Sequence, residues 1–147
     1  MKNIRRRDKN RRGFTLLELL VVMVILVLLA GVVTIVVVKR VEEARYAKAV
    51  SDIESIGNAL DQFYLHTGRY PSTDEGLEAL RIKPQSDASG WNGPYVKKSI
   101  PADPWGREYI YECPGNNNAD SYDLSSMGHD GREGGSGADA DITNWDK

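Results

Sequence analysis

The sequence predicts an α+β protein: one long N-terminal α-helix packed on a small C-terminal domain with a short helix and a small antiparallel β-sheet. Three observations point there. An uncharged apolar run over residues 19–38 passes, with no Pro before Pro71, into an amphipathic pattern that reaches Phe63. Two short aromatic runs, Tyr109-Ile110-Tyr111 and Tyr122-Asp123-Leu124, flank the turn-forming Pro114-Gly115-Asn116-Asn117-Asn118. The tail from Gly128 is rich in Gly and Asp yet carries Ile142 and Trp145, which pin it back onto the domain.

The 147 residues divide into three zones, residues 1–13, 14–38 and 39–147. The first holds seven of the 19 Lys and Arg residues and one acid, Asp8. The remaining 134 residues hold 12 basic and 20 acidic side chains, a net charge of −8, which disfavours nucleic acid as a partner of the body. The second zone is lipid-length, since ~20 helical residues at ~1.5 Å rise cover the ~30 Å bilayer core. A basic head before an apolar run is also the layout of a secretory signal. Here, however, the run exceeds the roughly 7–15 apolar residues of such signals. It ends in Lys39-Arg40 without a small-x-small cleavage pattern. A retained membrane helix is therefore expected, with residues 1–13 cytoplasmic and the C-terminal bulk exported.

Beyond Val38 the apolar positions Val41, Tyr46, Ala49, Val50, Ile53, Ile56, Leu60 and Phe63 recur at three- and four-residue spacing. This extends one helix to roughly fifty residues, apolar all round in its first half and on one face in its second. Glu42 with Arg45 and Lys48 with Asp52 can pair along its surface. Gly68 and Pro71 stop the helix. Ser72-Thr73-Asp74-Glu75 has capping-box spacing and opens a short helix with Leu77, Ala79 and Leu80. A Pro-, Gly- and Ser-rich loop covers residues 84–94, and the two aromatic runs read as short strands. Asp103-Pro104-Trp105-Gly106 reads as a folding turn, with Pro104 fixing φ and Trp105 burying apolar area. The lone Cys113 excludes an intramolecular disulfide and a Cys-based zinc cluster.

Arg12-Gly13-Phe14-Thr15-Leu16-Leu17-Glu18 carries the sharpest chemistry. A carboxylate at the middle of a membrane helix costs ~2.5–3.5 kcal/mol on insertion scales, less near the interface. Glu18 has no basic partner within helical reach on the apolar side. A cut between Gly13 and Phe14 would create an α-amino group four residues ahead of it, about 6 Å along the axis. Glu18 could then pair with the terminus of its own chain or of a neighbour, and that pair would set the register of adjacent helices. The tail's Asp130, Asp139 and Asp141, set among Gly134, Gly135 and Gly137, suit calcium, which takes six to eight oxygen ligands. The same composition also fits a solvated acidic loop. The EF-hand spacing is absent, and one stretch fitting a calcium β-helix repeat lacks the stacked copies that architecture needs. No catalytic residues are assigned. His66 and His129 have no nucleophile at a recognised spacing, and nucleotide-binding, zinc-protease and nucleophile-elbow patterns are missing.

These segments resemble the class III signal of type IV pilin-like proteins and, more specifically, the major pseudopilins (G component) of type II secretion systems. The leader, Gly13 and Phe14-Thr15-Leu16-Leu17-Glu18 carry the general likeness. Residues 68–80, residues 100–109, and the ending from Ser126-Met127-Gly128-His129-Asp130-Gly131 through Ile142-Thr143-Asn144-Trp145 carry the specific one. The resemblance implies a pilin-like fold, leader cleavage after Gly13 by the prepilin peptidase, N-methylation of Phe14 and an assembly role for Glu18. It implies an inner-membrane protein with a periplasmic head that polymerises through its N-terminal helices. Minor pseudopilins and an inner-membrane assembly platform, driven by a cytoplasmic ATPase, are the implied partners. The filament is expected to drive folded exoproteins through an outer-membrane secretin. It further implies a calcium ion held by the side chains of Asp130 and Asp141 and the Met127 carbonyl, with Asp139 and Ser136 as additional candidates. An adhesive or motility type IV pilin is the alternative, and two cysteines bracketing the C-terminal region would favour it. A membrane-tethered, calcium-dependent binding or hydrolytic domain would instead predict activity from residues 39–147 alone.

Overall fold

The computed structural model describes residues 13–86 and 88–146, with the side chains of residues 32–36 and of Ala138 outside that description. The basic residues 2–12 of the leader also lie outside it. The chain divides into two compact units, residues 1–39 and 40–147.

Helix α1 runs over Leu16–Thr67. Thr15 starts it, its Oγ1 accepting the Glu18 backbone N–H at 3.2 Å as an N-cap does. Every described side chain over residues 16–31 is exposed in the isolated chain. Among the described residues no helix is long and apolar enough to cross a membrane. The helix stops where Gly68 takes φ 77° and donates its N–H to the Tyr64 carbonyl at 2.8 Å, a left-handed terminator open to glycine. Glu42–Arg45 and Lys48–Asp52 are ion pairs at 2.8 and 2.5 Å. Such exposed i,i+3 and i,i+4 pairs each contribute a few tenths of a kcal/mol, about 0.3–0.5.

In the second unit, Ala49, Ile53, Ile56, Ala59, Leu60 and Phe63 form the buried stripe of α1. Ala79, Leu80, Tyr109, Tyr111, Tyr122, Leu124 and Ile142 complete the core against them. The sheet is antiparallel in the order β1 (Ile110–Glu112), β2 (Asp123–Ser126), β3 (Ile142–Thr143). Tyr111 faces Leu124, and Ser126 faces Ile142. Core aromatics keep their polar ends bonded. Tyr109 donates to Asp52 Oδ2 at 3.0 Å, Tyr111 to the Pro71 carbonyl at 2.7 Å and Trp91 to the Ala79 carbonyl at 3.1 Å. Burial accordingly pushes the Tyr109 and Tyr111 hydroxyls well above the usual phenol range.

Three details differ from the sequence expectation. The capping box forms: Ser72 N–H donates to Glu75 Oε2 at 2.8 Å, and Glu75 N–H donates to Ser72 Oγ at 3.3 Å. Yet the element after it is a single 3-10 turn, Leu77–Leu80, because Gly76 at φ 58° interrupts any α-helix between box and apolar residues. Both strands lie one residue later than the aromatic runs, since backbone pairing begins at Ile110↔Ser125. The tail supplies an unforeseen third strand. Asn144 extends its pairing, its N–H bonding the Leu124 carbonyl and its Oδ1 accepting the Leu124 N–H, at 3.0 and 2.8 Å.

Two carboxylates organise the loops. Arg69 grips Glu75 with both guanidinium nitrogens, at 2.6 and 2.8 Å, and holds that carboxyl down to about 2 from its ordinary 4.5. The stabilisation is therefore complete above pH 4.5 and is lost as the pH falls toward 2. Asp123, 6% exposed, accepts the backbone N–H of Asn117 and Asn118 at 2.7 and 2.9 Å, fixing the β1–β2 turn. Burial pushes its carboxyl up, but those donors outweigh it and the net shift is downward.

Candidate functional site

The first candidate is the start of α1. Gly13 and Phe14 precede the helix, and Phe14 is 79% exposed. Glu18 sits in the first helical turn, and no ion pair reaches its carboxylate among the described residues. Thr15 was missed in the sequence, although Thr15-x-x-Glu18 has the spacing of an N-terminal cap. It fixes where the helix begins, and thereby how far Glu18 stands from the Gly13–Phe14 bond.

The second candidate is the acidic tail. Asp130 Oδ1 accepts the Arg132 N–H at 3.0 Å, and Asp139 Oδ1 pairs with His129 Nδ1 at 3.0 Å. Asp141 Oδ2 accepts the Gly134 N–H at 2.9 Å, while its Oδ1 is buried without a partner. The Met127 carbonyl accepts the Gly131 N–H at 3.2 Å, and the Ser136 carbonyl accepts the Asp139 N–H at 3.3 Å. A Cβ on Gly135 would stand 2.2 Å from the Asp139 carbonyl oxygen, so the loop closes this tightly only with glycine there. Among the described residues no three His, Cys, Asp or Glu side chains gather closely enough to hold a metal. The three aspartates thus point to three different partners, and the structure does not draw them into one cluster. One Asp141 oxygen is thus buried without a donor, which is costly, and it is the one observation in the tail that a cation would relieve. The donor set of carboxylates and main-chain carbonyls suits calcium rather than a softer metal.

A third feature lies beside the tail. The Asp103-Pro104-Trp105-Gly106 turn closes on itself, Asp103 Oδ1 accepting the N–H of Trp105 at 3.0 Å and of Arg107 at 2.8 Å. Asp103 Oδ2 accepts the Ser126 hydroxyl at 2.6 Å. Trp105 Nε1–H donates to Glu42 Oε2 on α1 at 3.0 Å, and that bond holds the Glu42 carboxyl below its usual range. The turn is a folding device that also presents Arg107 to the tail.

Comparison with known proteins agrees along the chain. Residues 36–145 match the family model of type II secretion system protein G, and residues 8–34 match the prokaryotic N-terminal methylation motif. The type II secretion system core protein G of Pseudomonas aeruginosa is 46% identical over 136 residues, covering 91% of this chain and 94% of that one. Its counterpart in Vibrio cholerae is 44% identical, covering 90% of each chain. That of Escherichia coli is also 44% identical, covering 97% of this chain and 95% of the relative. The crystal structure of the major pseudopilin from the type 2 secretion system of enterohaemorrhagic Escherichia coli superposes with a TM-score of 0.56 at 34% identity. It covers 70% of this chain and 88% of that one. The chain belongs to the type II secretion system protein G family.

Proposed function

We propose that this chain is the major structural subunit of a type II secretion pseudopilus. As a pseudopilin it is not an enzyme. The observation that carries the reading is the joint match of the protein G model and the methylation motif to adjoining segments of one chain. The prepilin peptidase removes residues 1–13 after Gly13, and the new N-terminus at Phe14 is methylated. Before assembly the apolar run holds the chain in the inner membrane, with residues 1–13 cytoplasmic and the head periplasmic. The uniformly exposed apolar side chains over residues 16–31 support this, because a surface of that kind needs lipid or other helices to cover it. On assembly, helices from neighbouring copies replace the lipid and Glu18 meets a neighbour's amino terminus. Minor pseudopilins and the inner-membrane platform are the other partners, and nucleic acid is none. Growth of the filament then helps to drive folded proteins through the secretin. Intact-mass measurement of the chain isolated from membranes is expected to give residues 14–147 plus one methyl group. A working form that begins at Met1 would overturn the reading.

Calcium is the cofactor proposed for the tail. Asp141 and Asp130 would hold it with the Met127 carbonyl, and Asp139 and Ser136 are the further candidates. The ion would supply a staple between the Gly-rich loop and β3, where this chain has no disulfide. Ligand at a hundredfold its Kd stabilises by ~2.7 kcal/mol, and ~1 kcal/mol is worth ~4–8 °C in a domain of this size, so EDTA should lower Tm by roughly 10–20 °C. A melting curve indifferent to EDTA sinks the staple.

A further inference from the structure

The structure assigns to Arg107 the role of a built-in cation that holds the first half of the acidic tail, residues 127–131, whether or not a metal ion is bound. Metal-dependent order is thereby confined to residues 132–141, a clause that rests on the calcium proposal. The Arg107 guanidinium donates through Nη2 to the Gly128 carbonyl and, at 3.2 Å, to the His129 carbonyl. Main-chain carbonyls of this kind are the oxygens a hard cation would otherwise collect. Gly131 lies flat against the same group, since a Cβ there would stand 2.8 Å from Nη1 and 2.9 Å from Cζ. The base of the side chain cannot drift, because Arg107 N–H donates to Asp103 Oδ1 and the Arg107 carbonyl accepts the Asp103 N–H at 2.7 Å. The other end of the circuit is tied as well. Ser126 Oγ donates to Asp103 Oδ2 and accepts the Gly128 N–H at 3.3 Å. Both bonds leave from Nη2, whose two N–H directions are fixed by the guanidinium plane on an anchored stem, whereas a lysine ammonium is a freely rotating point charge.

The second half has no such device. Among the described residues Asp141 accepts the Gly134 N–H through one oxygen and nothing through the other, Asp139 pairs with the exposed His129, and Asp130, at the edge of the first half, accepts the Arg132 N–H. Among the described residues no Lys or Arg forms an ion pair with these three carboxylates.

Hydrogen exchange of the full chain in detergent micelles, in calcium and in EDTA, tests the assignment in the wild type, R107M and R107K. In the wild type, EDTA should speed exchange over residues 132–141 by about tenfold or more while Gly128 and Gly131 change by less than about twofold. In R107M, which keeps the aliphatic stem, residues 127–131 should exchange about tenfold faster even in calcium, and R107K should fall between. Unchanged protection of residues 127–131 in R107M, with the α1 amides still protected, overturns the assignment. So does release of both halves together by EDTA in the wild type. If R107M loses the α1 protection and so fails to fold, R107K decides, and protection of residues 127–131 equal to wild type counts against Arg107. An EDTA-indifferent wild type removes the calcium proposal alone, and the arginine variants still test Arg107.

Discussion

Glu18→Ala should leave the chain inserted and cleaved at Gly13 yet abolish filament growth. The two steps separate because the carboxylate acts on them with opposite sign. Insertion alone is helped by its removal, since a mid-helix acid costs ~2.5–3.5 kcal/mol and a shallow one somewhat less. Assembly is harmed, because the carboxylate is then unavailable to the amino terminus of the incoming subunit. At ~4 Å and an effective dielectric of ~20, that attraction is worth up to ~4 kcal/mol, about a thousandfold in the equilibrium for each subunit added. A polymer multiplies the loss at every step, so the expected phenotype is absence of filaments rather than shorter ones. Glu18→Asp keeps the charge on a shorter stem and should retain partial assembly, whereas Glu18→Gln should behave like the alanine variant. Carbonate extraction reads insertion, intact mass reads cleavage, and electron microscopy of overproduced filaments reads assembly. Filaments of normal length and number from Glu18→Ala would remove Glu18 from the mechanism. Thr15 gives the same prediction its geometry, since its cap on the Glu18 N–H fixes the first turn and hence the axial offset from Phe14.

What could be read from the sequence is what depends on neighbours close along the chain. The stripe from Ala49 to Phe63, the surface pairs Glu42–Arg45 and Lys48–Asp52, the Gly68 stop and the reciprocal Ser72–Glu75 bonds all follow from spacings of three to five residues. The features that escaped it are set by partners far away in sequence. β3 exists because Ile142 and Asn144 find β2 some twenty residues earlier, and nothing in Asp141-Ile142-Thr143 alone distinguishes a strand from a pinned tail. Strand β1 starts at Ile110 rather than Tyr109 because pairing begins where Ser125 stands opposite, and Tyr109 instead sends its hydroxyl to Asp52. The tail aspartates were readable as a composition, but their separate partners were not. Arg107 carries no local signal at all. Its hold on Gly128 and His129 depends on a turn placing one side chain beside a loop more than twenty residues on.

Asp103→Ala is expected to be strongly destabilising to the head. The side chain is 4% exposed and accepts three hydrogen bonds, from the N–H groups of Trp105 and Arg107 and from the hydroxyl of Ser126, which is itself fully buried. Alanine leaves all three donors without their acceptor, at ~1–3 kcal/mol for each that water cannot reach. Even with water reaching the outer part of the turn, a loss of ~3–5 kcal/mol is expected, a large share of the ~5–15 kcal/mol by which domains are stable. In a domain of about this size that corresponds to a Tm lower by roughly 12 °C or more. Asp103→Asn separates geometry from charge. Its Oδ1 still accepts both backbone N–H groups, but its amide now meets Ser126 Oγ as a second donor. Ser126 Oγ already accepts the Gly128 N–H, so the serine hydroxyl proton loses its acceptor and ~1–2 kcal/mol is forfeited. Ser126→Ala should cost a similar amount, and the Asp103→Asn/Ser126→Ala pair less than the sum, because both remove the same bond. Urea unfolding followed through Trp fluorescence measures all four. An Asp103→Ala midpoint within error of wild type would mean that the turn closes without its carboxylate. In that event Trp105 packing and the Glu42 bond, rather than Asp103, would be what holds the 103–107 turn against α1.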